Sequence, residues 1–173
     1  MSVREEVNPE FITPPGASQA FRKKLWDRVG GFPEGMAAAE DTLFGERARA
    51  AGFNPYFEGD ALINWRPPAG LWEMMRKAFA WGSGDGRAGL RSRAYQKILV
   101  GYWGSLVLAL VAGLIAWWLA PVALVPLAVS TIRRTRYKYR WAAGPGKYVL
   151  IPIAHILQLL AQSVGWLVGT VRR

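Results

Sequence analysis

Apolar residues recur at helical spacing over most of this chain, and the pattern is interrupted by Pro14-Pro15, Gly30-Gly31 and Pro67-Pro68. Met1 to Pro15 is a sparse, extended lead-in. Ser18 is placed to cap a helix from Gln19 to Val29, with Phe21, Leu25, Trp26 and Val29 on one face and the glycine pair as its stop. A second helix runs from Ala39 or Glu40 to Ala51 and ends at Gly52. Leu43, Phe44, Ala48 and Ala51 form its apolar face, and Glu46, Arg47 and Arg49 its wet one. Asn54 to Asn64 reads as a short strand pair or extended segment through Tyr56, Phe57, Leu62 and Ile63, and Arg66-Pro67-Pro68 closes the soluble part. Leu71, Trp72, Met75 and Phe79 then share a helical face beside Arg76 and Lys77. That profile suits a helix at a membrane surface and equally an amphipathic helix packed on the soluble part. Trp81 to Arg87 follows as a glycine-rich loop, without the Lys-Ser/Thr of a phosphate-binding loop.

The hydrophobic signal strengthens sharply after Lys97. From Ile98 to Ile132 there is no charged residue for 35 positions, too long for one straight span of about 20 residues. Pro121 and Pro126 predict a bend, hence a hairpin with one leg from Ile98 to Trp118 and a second from Pro121 past Ile132. Tyr102-Trp103 and Trp117-Trp118 lie 15 residues apart, about 22 Å on a helix, close to the separation of two interfacial aromatic belts. Tyr148 to Val171 is apolar but striped by His155, Gln158, Gln162 and Ser163, with Gly165 and Gly169 as a small-xxx-small step. It is either a third span or a helix lying in the interface. The terminal Arg172-Arg173 favours the second, because a third crossing would put both arginines outside. The resulting divisions are 1–68, 69–97, 98–132, 133–147 and 148–173.

Charge sharpens this picture. Residues 1 to 66 carry 8 Lys/Arg against 10 Asp/Glu, net −2, and residues 67 to 173 carry 14 against 2, net +12. Cations flanking apolar runs point to the positive-inside rule and anionic headgroups, and away from nucleic acid. With no cysteine there is no disulfide, thiolate metal site or cysteine nucleophile. The acidic N-terminal stretch MSVREEVNPEF lacks the apolar core of a signal peptide. The expected location is therefore a cell membrane crossed more than once, with residues 1 to 97 in the cytoplasm.

The candidate chemistry is the adjacent pair Glu40 and Asp41 at a helix start. Acids there complement the macrodipole and cap free N–H groups. The surrounding residues add a second meaning. GASQAFRKKLWDRVGGFPEGMAAAEDTLFGERARAAGF followed by GDALINWRPP resembles the C-terminal, acceptor-side half of the catalytic domain of glycosyltransferase family 2, inverting enzymes with a GT-A fold. Membrane-bound members that build bacterial polysaccharides and glycolipids are similar beyond this, with a basic aromatic helix, a loop like Gly84 to Arg87, a membrane hairpin and an apolar C-terminal helix.

That resemblance implies an α+β chain: an incomplete GT-A (α/β) catalytic half followed by an α-helical membrane region. It implies Asp41 as general base, Glu40 positioning acceptor or base, and Trp65 and Arg66 lining the acceptor side. It also implies a nucleotide-sugar donor, a glycan or lipid-linked acceptor, membrane lipids as partners, and a divalent metal, Mg or Mn, in the complete enzyme. No Asp-x-Asp for that metal occurs in the sequence, and Trp65 stands where many relatives place a metal-reaching His. The donor-binding half is thus expected elsewhere, with a separate donor-binding polypeptide as one source. A different class of reading stays open: a non-enzymatic membrane protein whose small cytoplasmic domain binds a partner protein or glycan.

Overall fold

Glycine placement sets where the helices stop. A computed structural model describes residues 19–36, 38–54, 56 and 68–173, and they divide into two compact units, Met1–Pro68 and Ala69–Arg173.

In the first unit, α1 (Lys23–Val29) ends at Gly30 in the left-handed conformation, with the Gly30 and Gly31 N–H groups donating to the Trp26 carbonyl. The predicted start at Gln19 is corrected. The N-cap is Arg22, extended and without a side-chain cap bond, and Phe21 precedes the helix; Ser18 lies outside the described residues. The second helix, α2 (Glu40–Ala50), ends in a Schellman arrangement. Phe53 N–H donates to the Ala48 carbonyl and Gly52 N–H to the Arg49 carbonyl, with Gly52 at φ +84°.

The expected α+β organisation is overturned: among the described residues all regular structure is helical and there is no strand. A GT-A sheet needs several strands paired through crossover units, and the described residues offer none to pair. Of the predicted strand segment only Asn54 and Tyr56 are described, neither in a strand; the rest lies outside the described residues.

The second unit is a helical assembly. α3 (Leu71–Ala88) begins after Gly70, where Ala69 N–H donates to Glu73 Oε2 at 2.8 Å. Hydrogen bonds from Lys77 and then from Ala69 hold the Glu73 carboxyl below the usual carboxylate range. The helix runs through Gly82, Ser83, Gly84, Asp85 and Gly86, so the predicted glycine-rich loop is helix. The reason is its partner, α7 (Lys147–Val171). A Cβ at Gly82 would run into the Gln162 carbonyl, one at Gly86 into that of Trp166, one at Gly165 into that of Phe79 and one at Gly169 into that of Ser83. Contacts advance together along both chains, so the two helices are parallel, backbone against backbone, over facing small-xxx-small steps.

Between them, α4 (Ser92–Ile98), a π-helical turn (Leu99–Trp103) and α5 (Gly104–Ile115) follow one another without a break. The chain reverses at Ala116–Trp118, and α6 (Leu119–Thr135) returns antiparallel, Gly113 facing Ala120. A 3-10 turn, Arg136–Trp141, leads into α7, and Lys147 Nζ donates to the Tyr139 and Ala142 carbonyls at 2.9 and 3.0 Å. Two stretches, Ser92–Ile115 and Lys147–Val171, are long and apolar enough to cross a bilayer by length and composition. Val107, Leu108, Leu110, Leu114 and Ile115 are all exposed, more contiguous apolar surface than a water-soluble helix normally shows.

Candidate functional site

The first turn of α2 is fixed from behind by aromatic packing. Phe21, Trp26, Phe32 and Phe44 form one cluster, with ring centroids from 4.9 Å (Phe21 to Phe44) to 6.1 Å (Phe21 to Phe32). Phe44 is buried and belongs to α2 itself, while Trp26 comes from α1 and Phe32 from the turn between them. Gly31 is required at this point. Its φ is +67° and a Cβ there would lie 2.5 Å from the Trp26 ring. Val29-Gly30-Gly31-Phe32 is thus a wedge that sets the approach to α2.

The chain enters α2 through Ala39, a non-glycine residue at φ +66°. An L-alanine in the left-handed region is strained by about 1–2 kcal/mol. Such strain persists only where surrounding structure enforces it, and it clusters at functional sites. Here it aims the next two side chains. Asp41 Oδ1 accepts from Thr42 N–H at 2.6 Å and from Thr42 Oγ1 at 3.3 Å, and Thr42 is buried. Glu40 turns inward, with Oε2 buried and unpaired among the described residues. A buried carboxylate oxygen without a donor is costly unless something reaches it.

Glu40 and Asp41 therefore stand side by side on the α2 head, both half-buried. The arrangement can do two things chemically. It complements the helix N-terminus, and it offers a carboxylate oriented by Thr42 to a hydroxyl approaching from solvent. Trp65 and Arg66 lie outside the described residues, so the structure brings together two of the four expected site residues. For the divalent metal, the described residues do not fit: no group of three His, Asp or Glu side chains converges among them, and no step is derived through a metal.

A polar cluster that the sequence pattern did not bring together sits in the second unit. Asp85, 2% exposed, accepts from Tyr95 Oη at 2.6 Å and from Arg91 Nη1 at 3.2 Å. Gln162 Nε2 donates to Tyr95 Oη at 3.0 Å, and Tyr95 stacks on Trp166 with centroids 5.3 Å apart. Gly84 to Arg87 and Gln162 each stood out by composition or spacing. Tyr95 did not, and 67 residues separate it from Gln162.

Comparison with known proteins gives one family. Residues 4–134 match the family described as glycosyl transferase family group 2. No curated protein and no solved structure gives a significant match.

Proposed function

The chain belongs to glycosyl transferase family group 2, and from that premise we propose that it supplies the acceptor side of an inverting sugar transfer carried out at a membrane. The observation that carries this reading is the carboxylate pair at the α2 head, reached through the strained Ala39 and backed by the aromatic wedge. In the proposed reaction an acceptor hydroxyl attacks the anomeric carbon of a nucleotide sugar. A new C–O bond forms, the bond to the nucleotide diphosphate breaks, and the configuration inverts. The hydroxyl proton passes to the Asp41 carboxylate, which Thr42 holds by two hydrogen bonds. Glu40, beside it on the same helix turn, positions the acceptor or the base. Trp65 and Arg66 line the acceptor side, an aromatic face suiting a sugar ring and a guanidinium its hydroxyls.

The donor diphosphate and the divalent metal that would accompany it are assigned to residues beyond those described, on a donor-binding segment or polypeptide. The chain has no Asp-x-Asp to offer. The apolar hairpin of α5 and α6, with its exposed valines and leucines, anchors the chain in the cell membrane, the catalytic part facing the cytoplasm. That position suits a lipid-linked acceptor or a growing bacterial polysaccharide.

The test is transfer itself. Membranes carrying the complete enzyme, or this chain together with a donor-binding polypeptide, are incubated with radiolabelled UDP- and GDP-sugars, and label is counted in lipid extracts and polymer. Transfer from at least one donor is expected. Folded, membrane-bound protein that transfers none of them would overturn the enzymatic reading.

A further inference from the structure

The second unit carries 14 Lys/Arg and 2 Asp/Glu, and from Arg87 to Arg173 there are 12 cations and no acid. Both acids are already engaged, Glu73 with Lys77 at 2.8 Å and Asp85 with Arg91 at 3.2 Å. The cations gather at the two ends of α7. Arg133, Arg134, Arg136 and Lys138 precede its start. Arg172 and Arg173 follow its end, where α3 also ends and the Arg173 guanidinium lies against Gly89.

If α7 crossed a bilayer, it would put one basic cluster on each side, against the bias that keeps cations on the cytoplasmic face. It would also drag α3 along. The two helices touch backbone to backbone at Gly82, Gly86, Gly165 and Gly169, and α3 carries Glu73, Arg76, Lys77, Asp85 and Arg87, a set that hydrocarbon does not accept. Lying in the membrane plane removes both conflicts. The C-terminal half of α7 suits that placement, since Val164, Leu167 and Val171 are exposed at spacings of 3 and 4, one helical stripe, while Tyr148, Val149 and Leu150 expose apolar surface around its first turn.

We infer that α3 and α7 form an in-plane platform on an anionic lipid surface, so that α7 does not cross the bilayer although its length and composition would allow it. The occupant of the apolar stripe is lipid, and the basic ends of the platform pair with headgroup phosphates. The inference rests on the membrane attachment proposed above.

The absence of native cysteine makes the test direct. Ala143→Cys and Arg172→Cys, both at exposed positions flanking α7, are introduced singly into the full chain. Sealed vesicles of known orientation are then treated with a membrane-impermeant maleimide. Modification of both positions from the same face is expected; modification from opposite faces would overturn the platform while leaving membrane attachment intact. Release of the chain by alkaline carbonate would overturn attachment and the platform together. In a second arm, Leu167→Cys carrying an environment-sensitive fluorophore is placed in phosphatidylcholine nanodiscs with or without phosphatidylglycerol. A blue shift with the anionic lipid that high salt reverses is expected, and identical emission in both would overturn the headgroup pairing.

Discussion

Ala39, in a left-handed backbone, and Asp85, a buried carboxyl, each occupy an environment that costs free energy. At Ala39 the left-handed backbone works against the side chain by about 1–2 kcal/mol, and glycine would remove that strain while adding roughly 0.5–1 kcal/mol of unfolded-state entropy. Ala39→Gly should thus stabilise the α2 head slightly, by about 0.5–1 kcal/mol on these figures. Amide exchange at Thr42 and Leu43 in the detergent-solubilised chain would read this as slowing of roughly threefold; faster exchange would mean the φ is unstrained. At Asp85 the two partners differ in weight. Tyr95 donates at 2.6 Å inside the protein, whereas the Arg91 side chain is 47% exposed at 3.2 Å. Tyr95→Phe should lower stability by about 1.5–3 kcal/mol, the range for bonds to buried charged groups. Arg91→Gln should cost under about 1 kcal/mol, the range for exposed pairs. Thermal unfolding of the two variants side by side checks the order, and equal losses would contradict it.

Among the helices, the α3 and α7 pair carries the clearest structural demand. Glycine in an ordinary helix is worse than alanine by about 1 kcal/mol, so Gly165→Ala in an uncrowded helix would stabilise. Here the added methyl meets the Phe79 carbonyl. The expected outcome is a loss of about 1–3 kcal/mol, the usual range for overpacking. Unfolding midpoints for Gly165→Ala and for Gly113→Ala, which faces only Ala120 at the looser 3.3 Å, should move by clearly different amounts; equal shifts would mean the helices do not meet at Gly165. The same pair shows where the sequence was readable and where it was not. Gly165 and Gly169 were legible as a small-xxx-small step because their flanks are strongly apolar. Gly82, Gly84 and Gly86 read as a loop because their local preference is for turns, whereas the α7 backbone packed against Gly82 and Gly86 favours the helix. The end of α2 at Gly52 was legible, since its signal is entirely local. The start of α1 was not, because Phe21 packs with Trp26, Phe32 and Phe44, a demand set in part by residues beyond the helix itself.

Across the whole chain, the change from net −2 before residue 67 to net +12 after it coincides with the change from a small polar unit to an apolar helical one. Charge and hydropathy are sums along the sequence, so this change is read from the residues alone. The α+β expectation came from the family resemblance and from the strand pair read at Asn54 to Asn64, whereas all regular structure among the described residues is helical. The position of Glu40 and Asp41 at a helix start was legible from their place after a Gly-Gly-Phe turn; the buried Oε2 of Glu40 and the Thr42 hydrogen bonds to Asp41 are set by the folded backbone, which no spacing encodes. The most direct measurement is sugar transfer by the complete enzyme bearing Asp41→Asn, which keeps an oxygen for Thr42 and removes the base. A general base contributes about 10²–10⁴-fold, so transfer should fall by that factor with membrane sedimentation and helix content unchanged. Transfer within a few-fold of the parent enzyme would contradict the assignment of Asp41 and, with it, the reading of the α2 head as the acceptor site.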